Sequence, residues 1–202
     1  MFPNLTTTVR TLLLINVGVY FLQSTTAGYG LLDQGALWPL YADTRYGAPP
    51  FQIWQLVSYS FLHGSVAHLF FNMFALYMFG PDVERLLGSR RFVVYYLVAV
   101  VGAAVTQLAV LELFAHSSSP TVGASGGVFG LLLCYGMAFP HRRLMLLFPP
   151  IPMPAWLFVT LYGVLELFMG VFGTNQGVAH FAHLGGMAAG YLLIRYWRAR
   201  AR

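Results

Sequence analysis

Long apolar stretches alternate with short polar ones along this chain, and the apolar stretches approach the length that crosses a membrane. A helix needs about 20 apolar residues to cross the hydrocarbon layer. Six segments come near that, at approximately residues 8–27, 65–87, 91–114, 123–139, 154–172 and 178–197. The first is short as a purely apolar run, Thr11 to Gln23, and reaches full length only by extending both ways. The pattern predicts an all-α polytopic bundle of six transmembrane helices in a single membrane domain, residues 1–202. Between the first two segments, Gly28 to Gly64 contains Trp38, Pro39, Pro49, Pro50 and Trp54. It is too amphipathic to cross and too apolar to stay in water. It reads as a long interfacial first loop in the outer leaflet, the depth that Trp and Tyr favour. The stretch FPPIPMP, Phe148 to Pro154, cannot be helical throughout.

Composition sharpens this picture. The chain is 58% hydrophobic and 8% charged, against about 25% charged residues in soluble domains; its mean hydropathy is +0.67. A formal charge of +5 would suggest nucleic acid in a soluble protein. The placement of the charge excludes that partner. Arg10, then Arg85, Arg90 and Arg91, then Arg142 and Arg143, then Arg195, Arg198, Arg200 and Arg202 fall on alternate loops, and Arg45 stands on the other side. By the positive-inside rule both termini are expected in the cytoplasm. The lysine-free basic set points to a GC-rich bacterial genome, and the short termini suit a bacterial inner membrane. No small-residue cleavage pattern follows the first stretch, which can serve as an uncleaved anchor. Cys134 has no partner for a disulfide.

Polar residues inside such spans are costly and stand as functional hypotheses. In FLHGSVAHLFFNMF, Ser65 can cap a helix, and His68 and Asn72, four residues apart, lie about 40° apart on one face. In TVGASGGVFG, Ser125 stands among four glycines at the opening of the fourth span. In VAHFAHLGGMAAG, His180 and His183 open the sixth. All three clusters begin spans that run inward in this topology, so they share one depth near the outer leaflet.

The glycines explain how they could meet. Gly126 with Gly130, and Gly186 with Gly190, form small-xxx-small pairs that let helix backbones approach closely in lipid. A serine beside an imidazole base is the minimal unit of covalent acyl transfer. The N–H groups at a helix N-terminus, with His68 and Asn72 as side-chain donors, can hold an oxyanion. His180 and His183 face roughly the same way. Gly190, seven residues after His183 and within about 20° of it, favours His183 as the residue on the face packed against the fourth span. Each feature also has a plainer reading: a serine bonded to its own helix, interfacial histidines, glycines that only pack, an asparagine that joins helices. Their coincidence at one depth outweighs these. A metal site among His63, His68, His180 and His183 is disfavoured, because HExxH, a nearby cysteine and a carboxylate within these motifs are all missing. Glu112 lies near the outer end of the third span, and Glu166 lies deeper with no evident role.

HGSVAHLFFN in the second span, GASG opening the fourth and AHLGG in the sixth, in that order behind a long first loop, resemble the rhomboid family of intramembrane serine proteases. The resemblance implies Ser125 as nucleophile and His183 as general base, a dyad without a carboxylate and without cofactor or metal. It implies His68 and Asn72 as oxyanion donors with the Ser125 backbone N–H, and Gly123 and Gly126 beside them. His63, Phe129, Trp54, Glu84, Gly186 and Gly190 would support the site, Glu84 as a structural glutamate. Two positions depart from the family: Gln55 follows Trp54 where an arginine is common, and Phe129 stands where many members carry a tyrosine stacked on the catalytic imidazole. The implied substrates are transmembrane proteins, entering from the lipid beside the fifth span and unwinding near small or helix-breaking residues. Two rivals are a catalytically inactive rhomboid-like protein that binds membrane clients and a small channel or transporter using the histidine-lined cavity.

Overall fold

The computed structural model describes residues 4–41, 47–115, 119–145, 150–173 and 179–201. Its longer helices fall on the six apolar segments: α1 Thr7–Gln23, then after short helices α2 (Tyr29–Gly35) and α3 (Gln55–Ser58), α4 Val66–Leu87, α5 Ser89–Val110, α6 Ser125–Ala138, α7 Ala155–Phe172 and α8 His180–Arg200. A single π-helical turn, Leu111–Ala115, extends α5 and leaves Glu112 exposed. The expected start of the sixth segment, Val178, lies outside the described residues.

Among the described residues, two helices are long and apolar enough to cross a membrane, Ser89–Phe114 and Ala155–Phe172. A third joins them if Gln55–Phe61 and Val66–Leu87, which meet at 98°, form one broken span. The other segments fall short for visible reasons. α1 has 17 residues and α6 has 14, while α8 mixes glycines and arginines into its apolar sequence. The chain is an integral membrane protein, mostly helical, and the count of six crossings goes beyond what helix length and hydropathy establish.

The centre of the bundle is α5, α6 and α8. α5 turns Tyr95, Tyr96, Ala99, Val100, Ala103 and Ala104 inward, a repeat of small and aromatic residues that lets its neighbours come close. α6 and α8 touch backbone to backbone. A Cβ at Gly186 would overlap the Gly126 carbonyl group, and one at Gly126 would overlap the Ala103 methyl. Gly190 does not face α6 as its spacing suggested. Its open side is filled by the Tyr95 ring of α5, whose hydroxyl donates to Gly130 O at 2.7 Å.

α1 is fastened to this core by the end of α4. It has no acidic residue in its own first turn, and the carboxylate of buried Glu84 takes that place. Glu84 accepts from the Thr8 and Val9 backbone N–H groups at 3.2 and 3.0 Å, from the Thr6 hydroxyl, and from the Ser89 hydroxyl at 2.6 Å. A capping carboxylate supplied by another helix both satisfies orphan donors and fixes tertiary position. Glu84→Ala is therefore expected to destabilise the fold by about 2–4 kcal/mol, because one buried and three partly buried donors lose their acceptor together. A thermal melt in detergent reads this, and an unchanged midpoint would contradict it.

The segment between α1 and α4 is tied down by side chains rather than by long helices. Gln55, buried completely, accepts from the Trp38 and Gln52 backbone N–H groups and donates to Gln34 O at 3.3 Å. It anchors the loop. The apolar-proline stretch before α7 includes strand β2, Pro152–Pro154, which pairs antiparallel with β1, Arg143–Met145; Phe148 and Pro149 lie outside the described residues.

Candidate active site

The N-terminal ends of α4, α6 and α8 gather at one end of the bundle, and three of the predicted polar clusters meet there. Ser125, the first residue of α6, has its Oγ 2.8 Å from His183 Nε2 of α8. The pairing is a direct result of the glycine contact beside it: Gly126 follows Ser125, and Gly186 lies three residues after His183. Phe129, one turn along α6, stacks on the His183 ring with centroids 4.3 Å apart and planes 7° apart. Stacking therefore persists without a phenol.

His183 has a second partner that its sequence neighbourhood does not reveal. Glu166 of α7 puts Oε2 at 2.8 Å from His183 Nδ1 and at 2.7 Å from His180 Nδ1. The expectation of an imidazole with no carboxylate is thus corrected. A carboxylate accepts, so both imidazoles donate from Nδ1, which in a neutral His183 leaves the lone pair on Nε2, facing the Ser125 hydroxyl. The serine, imidazole and carboxylate form one continuous chain of hydrogen bonds. His180, one turn nearer the end of α8, meets the carboxylate.

Glu166, His180 and His183 also bring three potential ligand atoms within 4.8 Å of one another. Their distances fit hydrogen bonding better than a cation cage. Ligands about 2.0–2.1 Å from a tetrahedral ion stand about 3.3 Å apart, whereas the two N···O separations here are 2.7 and 2.8 Å.

The loop leading into Ser125 is pinned from both sides. Leu37 and Thr121 form an isolated antiparallel bridge, with N···O distances of 3.0 and 2.9 Å, and the Gly123 N–H donates to Tyr59 O at 2.9 Å. That bond commits the Gly123 donor elsewhere, so its place in the site is spatial. Gly123 has φ +125°, and a Cβ there would run into the imidazole of His68. Gly123→Ala is expected to displace His68 and lower the reactivity of Ser125 by about 10–100-fold, since small misplacements of reacting groups cost that much. The rate of labelling by a fluorophosphonate would show it, and a wild-type rate would contradict it.

His68 is half-buried and stands edge-on to fully buried His63, with centroids 5.1 Å apart. The His63 backbone is itself clamped by the Gln23 side chain, which donates to His63 O at 2.7 Å and accepts from His63 N at 3.2 Å. Ser65 caps α4 as expected, its Oγ accepting from His68 N at 3.1 Å. Asn72 lines the same cavity as His68 and Ser125, but its Nδ2 donates to His68 O at 3.1 Å, back along its own helix. It would have to turn to serve an oxyanion. Gly126 stands in the first turn of α6, where N–H groups lack intrahelical acceptors. Trp54 donates to Gln34 O at 2.9 Å and is not among the residues lining the cavity.

That cavity has a volume of about 1580 Å³ and runs between α4, α6 and α7. Ser125, His183, His68 and Asn72 line it near one end, Asp82 and Arg142 towards the other, and Phe71, Phe74, Met78, Phe158 and Tyr162 lie along its length. α7 is only lightly absorbed into the core, with Ala155, Val159 and Glu166 its buried residues among those described.

The sequence model of the rhomboid domain matches residues 50–200. The chain is 35% identical over 155 residues to the rhomboid protease GlpG of Serratia proteamaculans, covering 75% of this chain and 50% of that protein. It is 30% identical over 189 residues to the rhomboid protease GlpG of Yersinia pestis, covering 91% and 60%. It is 36% identical over 140 residues to RHOMBOID-like protein 4 of Arabidopsis thaliana, covering 69% and 33%. The aligned region thus spans from a third to three-fifths of these relatives' own lengths.

Proposed function

Since the chain belongs to the rhomboid family, we propose that it is an intramembrane serine endopeptidase that cleaves transmembrane protein substrates with Ser125 as nucleophile and His183 as base. The observation that carries this reading is the 2.8 Å contact between Ser125 Oγ and His183 Nε2, two residues brought from separate helices by a glycine interface. In the first step Ser125 Oγ attacks the substrate carbonyl carbon while its proton passes to His183 Nε2. The oxyanion is held by the N–H groups of the first turn of α6, with His68 and a reoriented Asn72 beside them. As the C–N bond breaks, His183 returns the proton to the leaving amine. Water then attacks the acyl-serine, gives its proton to His183, and releases the acid as Ser125 recovers its hydrogen. The cavity supplies the water path that hydrolysis needs in a membrane.

The apolar length of that cavity, bordered by α4 and α7, supports a substrate segment that enters from the lipid. A transmembrane helix hides its carbonyls in its own hydrogen bonds, so the cleaved bond belongs in a stretch that unwinds, at a small or helix-breaking residue. In this reading six helices cross the membrane as one domain, both termini face the cytoplasm, and the site opens towards the outer leaflet of a bacterial inner membrane. The test is cleavage of a single-span reporter in liposomes, with the cut mapped by mass spectrometry. The proposal predicts one principal cut near one membrane face; an intact reporter would contradict it.

A further inference from the structure

Glu166 contributes nothing to the two-residue chemistry just described, yet the fold buries it in the membrane region and gives it two imidazole partners. An isolated carboxylate at that depth is expensive. Here two N–H donors converge on one oxygen, at 2.7 and 2.8 Å, and charge-assisted bonds of that kind offset the loss of water. The donors come from α8 and the carboxylate from α7, so neither helix forms this arrangement without the other. On the remaining side of His180, Nε2 is buried without a partner among the described residues. This fits a ring whose proton is held on Nδ1 for the carboxylate.

We infer that Glu166 is a positioning residue for the reaction: it fixes the tautomer and orientation of His183 and faces the positive charge that His183 acquires when it takes the Ser125 proton. His180 is the second donor that keeps the carboxylate in place. No proton moves to Glu166. The Nδ1 proton stays on His183 throughout, and the transferred proton travels between Ser125 Oγ, His183 Nε2 and the leaving amine. The arrangement has the order serine, imidazole, carboxylate that soluble serine hydrolases reach on unrelated folds. Here the carboxylate comes from the helix that borders the substrate cavity. Packed against α7, α8 presents no other carboxylate to these two rings among the described residues.

The inference rests on Ser125 and His183 being the reacting pair, and the test separates the two claims. Purified wild-type protein and the Ser125→Ala, Glu166→Gln, Glu166→Ala and His180→Ala variants are compared by rate of labelling with a fluorophosphonate and by kcat and KM on the reporter, with thermal melting as a check of fold. Glu166→Gln keeps the shape and removes the charge. It is expected to lower kcat and the labelling rate by about 100-fold with KM and melting midpoint little changed. Glu166→Ala is expected to lose more and to regain part of the rate in formate, which a purely structural role would not allow. His180→Ala is expected to lose several-fold. Labelling of Glu166→Gln within threefold of wild type would overturn the inference while leaving the protease reading intact. So would a loss that follows unfolding in Glu166→Gln and is not restored by formate in Glu166→Ala. Absence of labelling in folded wild type, or its survival in Ser125→Ala, would instead remove the protease reading.

Discussion

Replacing Ser125 by alanine is expected to abolish peptide-bond cleavage, by roughly 10⁴-fold or more, without disturbing the fold. The size follows from the chemistry. Deleting the nucleophile of a covalent hydrolase removes the acyl-enzyme route altogether, and what remains is the modest help of binding and oxyanion stabilisation. The harmlessness to the fold follows from packing. Ser125 starts α6 without serving as its cap, since the N-cap position is Ala124, and its hydroxyl spans to His183 rather than supporting its own helix. Removing one oxygen leaves the Gly126–Gly186 contact and the Phe129 stacking in place. Reporter cleavage and a melting curve on the same sample separate the two effects. A channel or transporter built on the same cavity would keep its activity in this variant.

Gly186→Leu is expected to be equally damaging for a different reason. Its side chain would have to begin where the Gly126 carbonyl already is, and a backbone carbonyl inside a helix cannot rotate away. The helices must separate, at a cost of about 1–3 kcal/mol for overpacking. Because Gly126 adjoins Ser125 and Gly186 lies less than one turn from His183, that separation opens the 2.8 Å reacting pair directly. A displacement of 1 Å costs about 10²-fold in rate, and a leucine demands more than that. We expect activity below detection, with a lowered melting midpoint. Glycine is required here for close approach, since the backbone at this position is ordinary helix.

The sequence made the site legible through local pattern and left its cross-links hidden. Ser125 could be singled out because a hydroxyl among glycines is out of place in an apolar run, and His68 with Asn72 because four-residue spacing puts them on one face. The Ser65 cap was readable from residue type and position alone. The role of Gly190 was not, because small-residue spacing says that a face is flat without saying which helix lies on it; Tyr95 of α5 takes that place. Glu166 stood out as an unexplained carboxylate, and no spacing within α7 could connect it to two histidines on α8. The same holds for Glu84, whose partners Thr6, Thr8 and Val9 lie more than seventy positions away, and for the Leu37–Thr121 bridge. Local periodicity carries information about faces, whereas pairings between distant segments appear only once the helices are packed.

The hydropathy pattern shows a similar division. α5 and α7 announce themselves as membrane-crossing helices. Of the helices that bear the site, α4, α6 and α8 carry glycines, polar residues or short length that dilute that signal, as the short α1 does away from the site, whereas α7 keeps it although it brings Glu166. This follows from the chemistry: a cavity lined by a serine, histidines and an asparagine has to be built from residues that a purely lipid-facing helix avoids.

The most direct measurement of the central claim is covalent labelling of the detergent-purified protein with a fluorophosphonate probe, which needs no knowledge of the natural substrate. The account predicts that wild type labels, that Ser125→Ala and His183→Ala do not, and that His180→Ala still does at a reduced rate. Folded wild type that fails to label, or labelling that survives the loss of Ser125, would contradict it.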